Sequence, residues 1–295
     1  MREIRWIFSA LFVFICTSGY AQLDDIARID WTILPKLNST VEYTRLRGLF
    51  NYPVKLKKEG SYLLLGLDYS NINLSSSNEN RFNSGELDGF QLLDINIGYT
   101  TPLKNDWRIG IRVTPGISTN LVKNGLSFED FVFSSDLVFI KDKTKDPDVK
   151  KPWRITAGLS YSQNRGFPFP LPFLVYYKRF HRKWSYKIGI PSANLQYHLS
   201  EKHRLKFSAE LDGFTSNLQK GIILDNGDDA EQINMSLILG GLQYEYIIVK
   251  HVEFFVRTSF IINSSVQLRD TNGDNLDELD DSNTLYIRTG IRLKI

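Results

Sequence analysis

Hydrophobic and polar residues alternate one by one along most of this chain, and this period of two limits the fold more than any other feature. In the last segment Leu285, Ile287 and Leu293 share one face, whereas Arg288 and Arg292 share the other. A repeat of two residues is typical of β-strands whose two faces meet different environments. The pattern therefore predicts an all-β protein.

Fourteen segments carry this alternation, and they predict fourteen strands. Many are close to the roughly 9–11 residues that a tilted strand needs to cross a bilayer. The two shortest segments, on either side of Pro191, are the weakest, and their loss would give twelve strands. The predicted strands are 26–34, 40–56, 61–72, 89–100, 106–118, 130–140, 153–163, 170–179, 184–190, 193–199, 203–215, 231–248, 251–267 and 283–295.

One segment, 231–248, changes its alternation in the middle. Its apolar residues fall on odd positions up to Leu239 and on even positions from Leu242. One extra residue in a strand shifts the alternation by one position, as happens at a β-bulge. We therefore predict a bulge at Gly240-Gly241.

The first twenty-one residues predict a secretory signal peptide. Arg2 and Arg5 are followed by an apolar stretch that ends at Cys16, and Ala21 closes a small-residue cleavage pattern. These are the three parts of an export signal. Cys16 is the only cysteine, so a disulfide scaffold and a zinc site of paired cysteines are both excluded. Residues 22–295 show no domain boundary, and we expect them to form one exported domain.

The connections between the predicted strands are of two kinds that alternate along the chain. One kind is mostly short and basic, and the other is mostly longer, polar and acidic. Alternate connections lie at opposite ends of an up-and-down sheet, so one end of the molecule is expected to be basic and the other acidic. The basic windows 55–60, 103–108, 141–154, 178–183, 201–206 and 249–252 sum to +13, and the windows 71–88, 120–130, 164–170, 190–193, 216–232 and 269–283 sum to −10.

Tryptophans decide between two architectures for the alternating strands. Trp107, Trp153 and Trp184 each follow a basic connection, and a ring of aromatic residues at one rim is typical of a barrel in a membrane. A soluble sandwich has no reason to collect tryptophan there. We predict an antiparallel up-and-down transmembrane β-barrel without a plug domain. The alternative is a soluble periplasmic or secreted β protein that binds a small ligand.

Several short motifs resemble one uncharacterised family of outer-membrane β-barrel proteins of Gram-negative bacteria. They are 27–31, 50–54, Gly189-Ile190-Pro191, the Asp-rich stretch before the last strand, and that strand itself, 285–295. The resemblance implies location in the cell outer membrane after export through the inner membrane. It also implies periplasmic short turns, extracellular long loops, and contact with outer-membrane lipid and the barrel-assembly machinery.

If the apolar faces meet lipid, charged side chains of both signs line the lumen. A charge inside a barrel must be paired or hydrated. The near-balance of charges permits an ion-pair network that fills the barrel, or a narrow pore for a small solute of unknown identity. The net charge of +3 gives no reason to expect nucleic acid. The predicted lumen-lining residues are Arg28, Asp30, Asp94, Arg108, Arg112, Arg154, Lys206, Glu210, Glu245, Glu253, Arg257, Arg288 and Arg292.

One acidic stretch has the spacing of a calcium-binding loop. Asp270, Asn272, Asp274, Glu278 and Asp281 occupy positions 1, 3, 5, 9 and 12 of such a loop. Oxygen ligands at this spacing suit a hard cation. The alternative is a solvated acidic loop, because these residues are also common in turns. Structural calcium is the only cofactor that the sequence suggests.

Catalytic chemistry has little support in the sequence. Of the four histidines, His181, His203 and His251 lie in or beside basic turns, and only His198 lies on the polar face of a predicted strand. No nucleophile elbow or glycine-rich phosphate loop is present. We therefore expect a pore, transport or structural role and no enzymatic activity. A barrel enzyme acting on lipids is the less favoured alternative.

Overall fold

The computed structural model describes residues 25–35, 41–76, 87, 89–123, 125–166, 169–280 and 283–294, and fifteen β-strands lie within these ranges. Among the described residues, no helix is long and apolar enough to span a membrane. The strands are β1 (Ala27–Leu34), β2 (Val41–Lys55), β3 (Tyr62–Ser76), β4 (Phe90–Pro102), β5 (Trp107–Thr119), β6 (Phe131–Asp142), β7 (Trp153–Ser162), β8 (Leu171–His181), β9 (Trp184–Gly189), β10 (Ser192–His198), β11 (His203–Ile223), β12 (Asp229–Val249), β13 (Val252–Arg269), β14 (Asn275–Asp280) and β15 (Leu285–Leu293).

Fourteen of these strands form one closed antiparallel barrel. Each pairs with its neighbour in the chain from β1 to β13, and β15 pairs with both β13 and β1. The remaining strand, β14, pairs only with the end of β13. The prediction of an all-β, fourteen-stranded, up-and-down barrel is confirmed, and the twelve-stranded alternative is wrong.

The weakest predicted hairpin is present, and one strand was missed. β9 and β10 pair from Lys187 with Asn194 to Trp184 with Tyr197. The predicted loop 216–232 is mostly strand, because β11 and β12 each run for 21 residues. β14 lies within the acidic stretch, where its charged residues hid the strand pattern. The predicted signal peptide, 1–21, lies outside the described residues.

The outer surface of the barrel is apolar. Every barrel strand contributes at least one large hydrophobic side chain that is more than a third exposed, whereas most of the charged residues of the same strands point inward. This is the reverse of a soluble protein, in which such side chains fill the core. Examples, in strand order, are Ile29, Leu46, Leu65, Ile97, Ile111, Leu137, Leu159, Leu174, Ile188, Leu195, Phe207, Leu242, Ile262 and Ile291.

The predicted bulge at Gly240-Gly241 is wrong, because β12 keeps one alternation throughout its length. The register shift lies on the neighbouring strand: Ile238 pairs with Asn263 and Leu239 with Ile261, which leaves Ile262 as the extra residue. A Cβ on Gly240 would lie 2.9 Å from Cδ1 of Ile262, so the glycine gives the bulged residue room. The apparent phase change in the sequence arises because the interior beside β12 changes from apolar to polar.

An apolar core fills the interior at the end that carries the long connections, which we call the loop end. The opposite end, with the short basic connections, is the turn end. Phe90 on β4 and Phe214 on β11 pack against each other in a tilted arrangement with ring centroids 5.7 Å apart, although these strands lie seven places apart around a barrel of fourteen. Tyr43 on β2 also contacts Phe214, at 6.0 Å. Opposite walls therefore touch at the loop end.

Candidate functional site: the barrel interior

A group of six charged side chains fills the interior near the turn end, between β11, β12, β13 and β15. We call Arg204, Lys206, Glu245, Glu253, Arg292 and Lys294 the turn-end ion cluster. Glu245 is fully buried and forms salt bridges with Lys206 at 2.6 Å, Arg292 at 2.5 Å and Arg204 at 3.2 Å. A buried carboxylate is tolerated only when paired in this way.

The strand register explains how these charges meet. Arg204 lies directly opposite Glu245 across the β11–β12 pair, and Glu253 lies opposite Arg292 across the β13–β15 pair. Glu253 also binds Lys294, at 3.1 Å, and contacts Arg204. Opposite charges on facing positions stabilise neighbouring strands. The cluster therefore joins four consecutive strands of the barrel.

A second set of ion pairs crosses the middle of the interior. Asp212 on β11 forms salt bridges with Arg288 at 2.5 Å and with Arg45 at 3.4 Å. Arg45 reaches across the interior from β2. The Tyr286 hydroxyl donates a hydrogen bond to the same carboxylate, at 2.6 Å. Because Tyr286 also packs in the apolar core, it connects the charged and apolar parts of the interior.

The other side of the interior carries smaller ion pairs. Arg112 binds Asp136 at 2.5 Å, and Arg154 binds Asp142 at 2.9 Å. Ser160 donates a hydrogen bond to Asp136, at 2.5 Å. These pairs join neighbouring strands from β5 to β7 and do not cross the interior.

The structure places all thirteen predicted lumen residues on the inner surface, and each contacts another inner residue. The pairs not yet mentioned are Arg28 with Asp30, Arg257 with Glu210, Arg108 with Thr100, and Asp94 with Asn164. Three arginines of the network, Arg45, Arg47 and Arg204, were missed, together with Arg165. The three arginines that lie on strands could have been found from the same alternation. Arg45 and Arg47, for example, flank the outward-facing Leu46.

The connection after β7 folds into the barrel. The Asn164 side chain donates to Asp94 at 2.9 Å, and the Asn164 backbone carbonyl accepts from the Thr215 backbone N–H at 3.2 Å. The Gly166 carbonyl accepts from Asn234 at 3.0 Å. A Cβ on Gly166 would lie 2.2 Å from the Met235 carbonyl oxygen, so only glycine fits this close approach. We call residues 163–166 the infolded segment.

The infolded segment lies beside a gap in the barrel wall. The hairpin of β9 and β10 stops short of the loop end, at the point where the Leu211 N–H donates to the Pro191 carbonyl at 3.2 Å. From this point to the loop end, the described part of the chain places no strand between β8 and β11. We call this gap the notch. A cavity of about 140 Å³ opens there, lined by Ser160, Ser162, Arg165, Phe169, Leu171, Phe173, Ile190, Pro191 and Leu211.

The connection between β5 and β6 closes over the loop end. Asp130 accepts hydrogen bonds from Asn217 and Gln219 on β11, both at 2.7 Å, and from the Ser127 N–H at 2.7 Å. Burial alone would raise the pKa of Asp130, but these donors outweigh it and hold that pKa below its usual value. Thr119 also pairs with Asn217 across the mouth. The loop is therefore fixed to β11 on the opposite wall.

Aromatic side chains form a band on the outer surface at the turn end. Trp153 packs against Tyr176, and Trp184 packs against Tyr197 with ring centroids 4.6 Å apart. Lys141 lies over the ring of Trp107. The three tryptophans that the sequence singled out thus lie on one rim.

His198 has a partner that the sequence did not suggest. Its Nε2 lies 3.1 Å from the Ser185 hydroxyl, which is only 1% exposed on the inner surface. Gln196 is bonded to the same ring. A serine that attacks a lipid must be reachable from the membrane, and this one faces away from it.

The candidate calcium ligands are spread over a turn and a strand. Asp270 accepts hydrogen bonds from Asn272 at 3.1 Å and from the Asp274 N–H at 2.8 Å. The Asp274 backbone N–H lowers the pKa of Asp270. Glu278, on β14, accepts from Ser265 at 3.0 Å. Asp281 lies outside the described residues, so calcium binding stays a prediction.

A closed antiparallel barrel with an apolar outer surface, an aromatic rim and ion pairs inside belongs to the class of membrane-type β-barrels. Within that class, the sequence profile of one family matches residues 42–294. The chain belongs to this family, which is described as Domain of unknown function (DUF6268). The predicted membership of an uncharacterised barrel family is confirmed. No curated protein matches the chain at a significant level.

Several solved structures are similar to this chain over most of its length. The NanC porin covers 91% of this chain and 100% of its own, with 9% identity and a TM-score of 0.40. The toluene transporter TodX of Pseudomonas putida covers 91% and 89%, with 9% identity and a TM-score of 0.34. Outer membrane phospholipase A from Escherichia coli covers 90% and 96%, with 12% identity and a TM-score of 0.32.

Proposed function

We propose that the protein is an outer-membrane β-barrel that conducts or holds small molecules and carries out no chemistry of its own. The observation that supports this most directly is the inverted polarity of the barrel. Large hydrophobic side chains of all fourteen strands are exposed, and in water such a surface would cause aggregation. In a membrane, lipid covers this apolar surface and prevents the aggregation.

The lengths of the connections set the orientation that we propose. The aromatic band lies at headgroup level on the side of the short basic turns. The short turns then face the periplasm, and the long acidic connections face the outside. Delivery by the barrel-assembly machinery after export is part of the same proposal.

The interior supports a route other than a straight open pore. The contact between Phe90 and Phe214 joins opposite walls at the loop end, and the Asp130 loop lies over it. The cavity lies on the side of β7 to β11, and the ion pairs from β5 to β7 do not cross the interior. A solute would therefore use one side of the barrel, and most of the other side serves stability.

Two alternatives are less well supported. A soluble ligand-binding protein would bury the apolar faces that are exposed here. A lipid-degrading enzyme would need its nucleophile on the membrane side, whereas Ser185 and His198 face the interior.

Cell fractionation combined with gel mobility tests the proposal. The protein should be recovered in the outer-membrane fraction and released only by detergent, and it should migrate faster on gels before boiling than after. Recovery in the soluble periplasm without detergent would overturn the membrane assignment. In planar bilayers we expect no large, steady conductance of the open-porin kind. Phospholipid hydrolysis that is lost in Ser185→Ala would overturn the non-catalytic part.

A further inference from the structure

The cavity at the notch connects the interior of the barrel with its outer surface. Ser160, Ser162 and Arg165 reach it from the inside, whereas Ile190 and Phe169 are 55% and 52% exposed at its outer edge. One end of the cavity is therefore polar and the other is apolar. A molecule that matches this lining has a charged head and a hydrophobic body.

Arg165 is the charged residue of the cavity lining, and the residue is exposed. No carboxylate among the described residues lies within ion-pair distance of it. The two carboxylates nearby have other partners, since Asp136 binds Arg112 and Asp94 accepts from Asn164. A guanidinium presents a planar fork of N–H donors that fits a carboxylate. The side chain is thus placed to receive an anionic head.

The rest of the lining limits the body of the molecule. Leu171, Phe173, Pro191 and Leu211 form apolar walls around about 140 Å³. An apolar cavity of about 150 Å³ holds one benzene molecule. The body that fits is therefore about the size of a single aromatic ring or a short branched chain.

The position of the notch along the membrane normal indicates from which side such a molecule enters the cavity. β9 has 6 residues, which rise about 20 Å at most even without tilt. The apolar band of a barrel in the outer membrane is about 25 Å tall. The top of the hairpin, with the exposed Ile188 and Ile190, therefore lies within the membrane, and the cavity opens sideways towards lipid.

We propose that the notch binds a small carboxylate with an apolar body, with its head on Arg165, and that it exchanges this molecule between the interior and the outer leaflet. This inference names the class of small molecule for the barrel function proposed above and rests on that function. The head faces the hydrated interior, and the body faces the lipid.

Binding of benzoate to the refolded full-length barrel tests the inference, with benzyl alcohol as the uncharged ligand of the same shape. Isothermal calorimetry should show saturable binding of benzoate and weaker binding of benzyl alcohol. Arg165→Met should weaken benzoate binding by about tenfold or more, as expected for loss of a charged hydrogen bond, and leave benzyl alcohol unchanged. Arg165→Lys should keep part of the affinity.

Arg108→Met is the matched control, because it removes an inner arginine outside the cavity and should leave benzoate binding unchanged. Leu211→Trp should fill the cavity and abolish binding of both ligands. The inference is overturned if wild type shows no saturable benzoate binding, or if Arg165→Met binds it as well as wild type. Gel mobility of each sample separates the two proposals: a barrel that migrates as folded but does not bind contradicts only the notch site.

Discussion

The two ends of the barrel interior are built from the same strands but by opposite means. Near the turn end, β11, β12, β13 and β15 point charged side chains at one another, and Glu245 contacts three cations. Near the loop end the same strands contribute Phe214, Met235 and Leu268 to an apolar core. The interior thus changes from ion pairs to hydrophobic packing along single strands.

This difference teaches that the inner face of a barrel need not be polar throughout. Ion pairs hold fixed partners but tolerate water nearby, whereas an apolar core excludes water and allows opposite walls to touch. The loop end is closed because its apolar side chains are stabilised by packing against one another. The turn end holds neighbouring strands together without filling the whole cross-section.

Phe214→Ala tests the apolar end and should have the largest effect. It removes a fully buried ring that contacts β2 and β4 across the interior, so we expect a loss of about 3–5 kcal/mol in the free energy of unfolding. Urea unfolding of the refolded barrel in detergent measures it. Phe128→Ala, at an 87% exposed position, is the control. A loss equal to that of the control would show that the loop end has no packed core.

Glu245→Gln tests the charged end and should cost less. The amide keeps one acceptor but leaves Arg204, Lys206 and Arg292 without their shared charge, so we expect a loss of about 1.5–3 kcal/mol. The same unfolding experiment applies, with Glu201→Gln in an exposed turn as the control. Added salt should reduce this cost, because it screens the freed cations, and should leave the Phe214→Ala cost unchanged. Equal salt dependence of both variants would remove the distinction between the two ends.

Calcium should stabilise the loop end only, through the turn between β13 and β14. At ten times the dissociation constant, one bound ion adds about 1.4 kcal/mol to the free energy of unfolding. The measurement is the thermal midpoint in calcium and in EDTA. The double variant Asp270→Ala with Asp274→Ala should abolish the difference, and Asp148→Ala at the turn end should keep it. Identical midpoints for the wild type in both buffers would contradict the calcium site.

Acid should loosen the loop end through Asp130, with the smallest effect of the four. The pKa of this carboxyl is held below its ordinary value of 3.8, so its contribution is present above that pH and is lost as the pH falls through the lower value. Asp130→Asn should reduce stability near neutral pH by about 0.5 kcal/mol, and this deficit should vanish in acid. Stability of both proteins across the pH range checks it. A deficit that is the same at every pH would contradict the role of the charge.

The strands and their order could be predicted because alternation is a local property of the sequence. Each of the fourteen barrel strands overlaps its predicted segment, including the short hairpin around Pro191, although β11 continues into the predicted loop 216–232. The sequence did not predict that Ile233, Met235 and Leu237 lie inside, because an apolar residue on a strand face reads the same towards lipid as towards a core. The misplaced bulge at Gly240-Gly241 follows from that ambiguity.

The candidate site was harder to predict than the fold. Each lumen charge could be recognised from its strand face, but its partners depend on register between strands that are distant in sequence, as for Arg45 and Asp212. Arg165 lies in a connection, where alternation carries no signal. Its position follows from Gly166 and Asn164, which fix the infolded segment by backbone contacts that no local pattern encodes.

The pairing of β1 with β15 has a consequence for the kinetics of assembly. Its register joins Arg28 to Arg292 and Ile33 to Ile287, so the two partners are separated by nearly the whole chain. Contacts of such long range are slow to form, because a very large loop must be closed first. Until then β1 presents an unpaired edge, which can recruit another chain. Closure of this seam is therefore the step that pairs the two terminal strands and turns a growing sheet into a barrel.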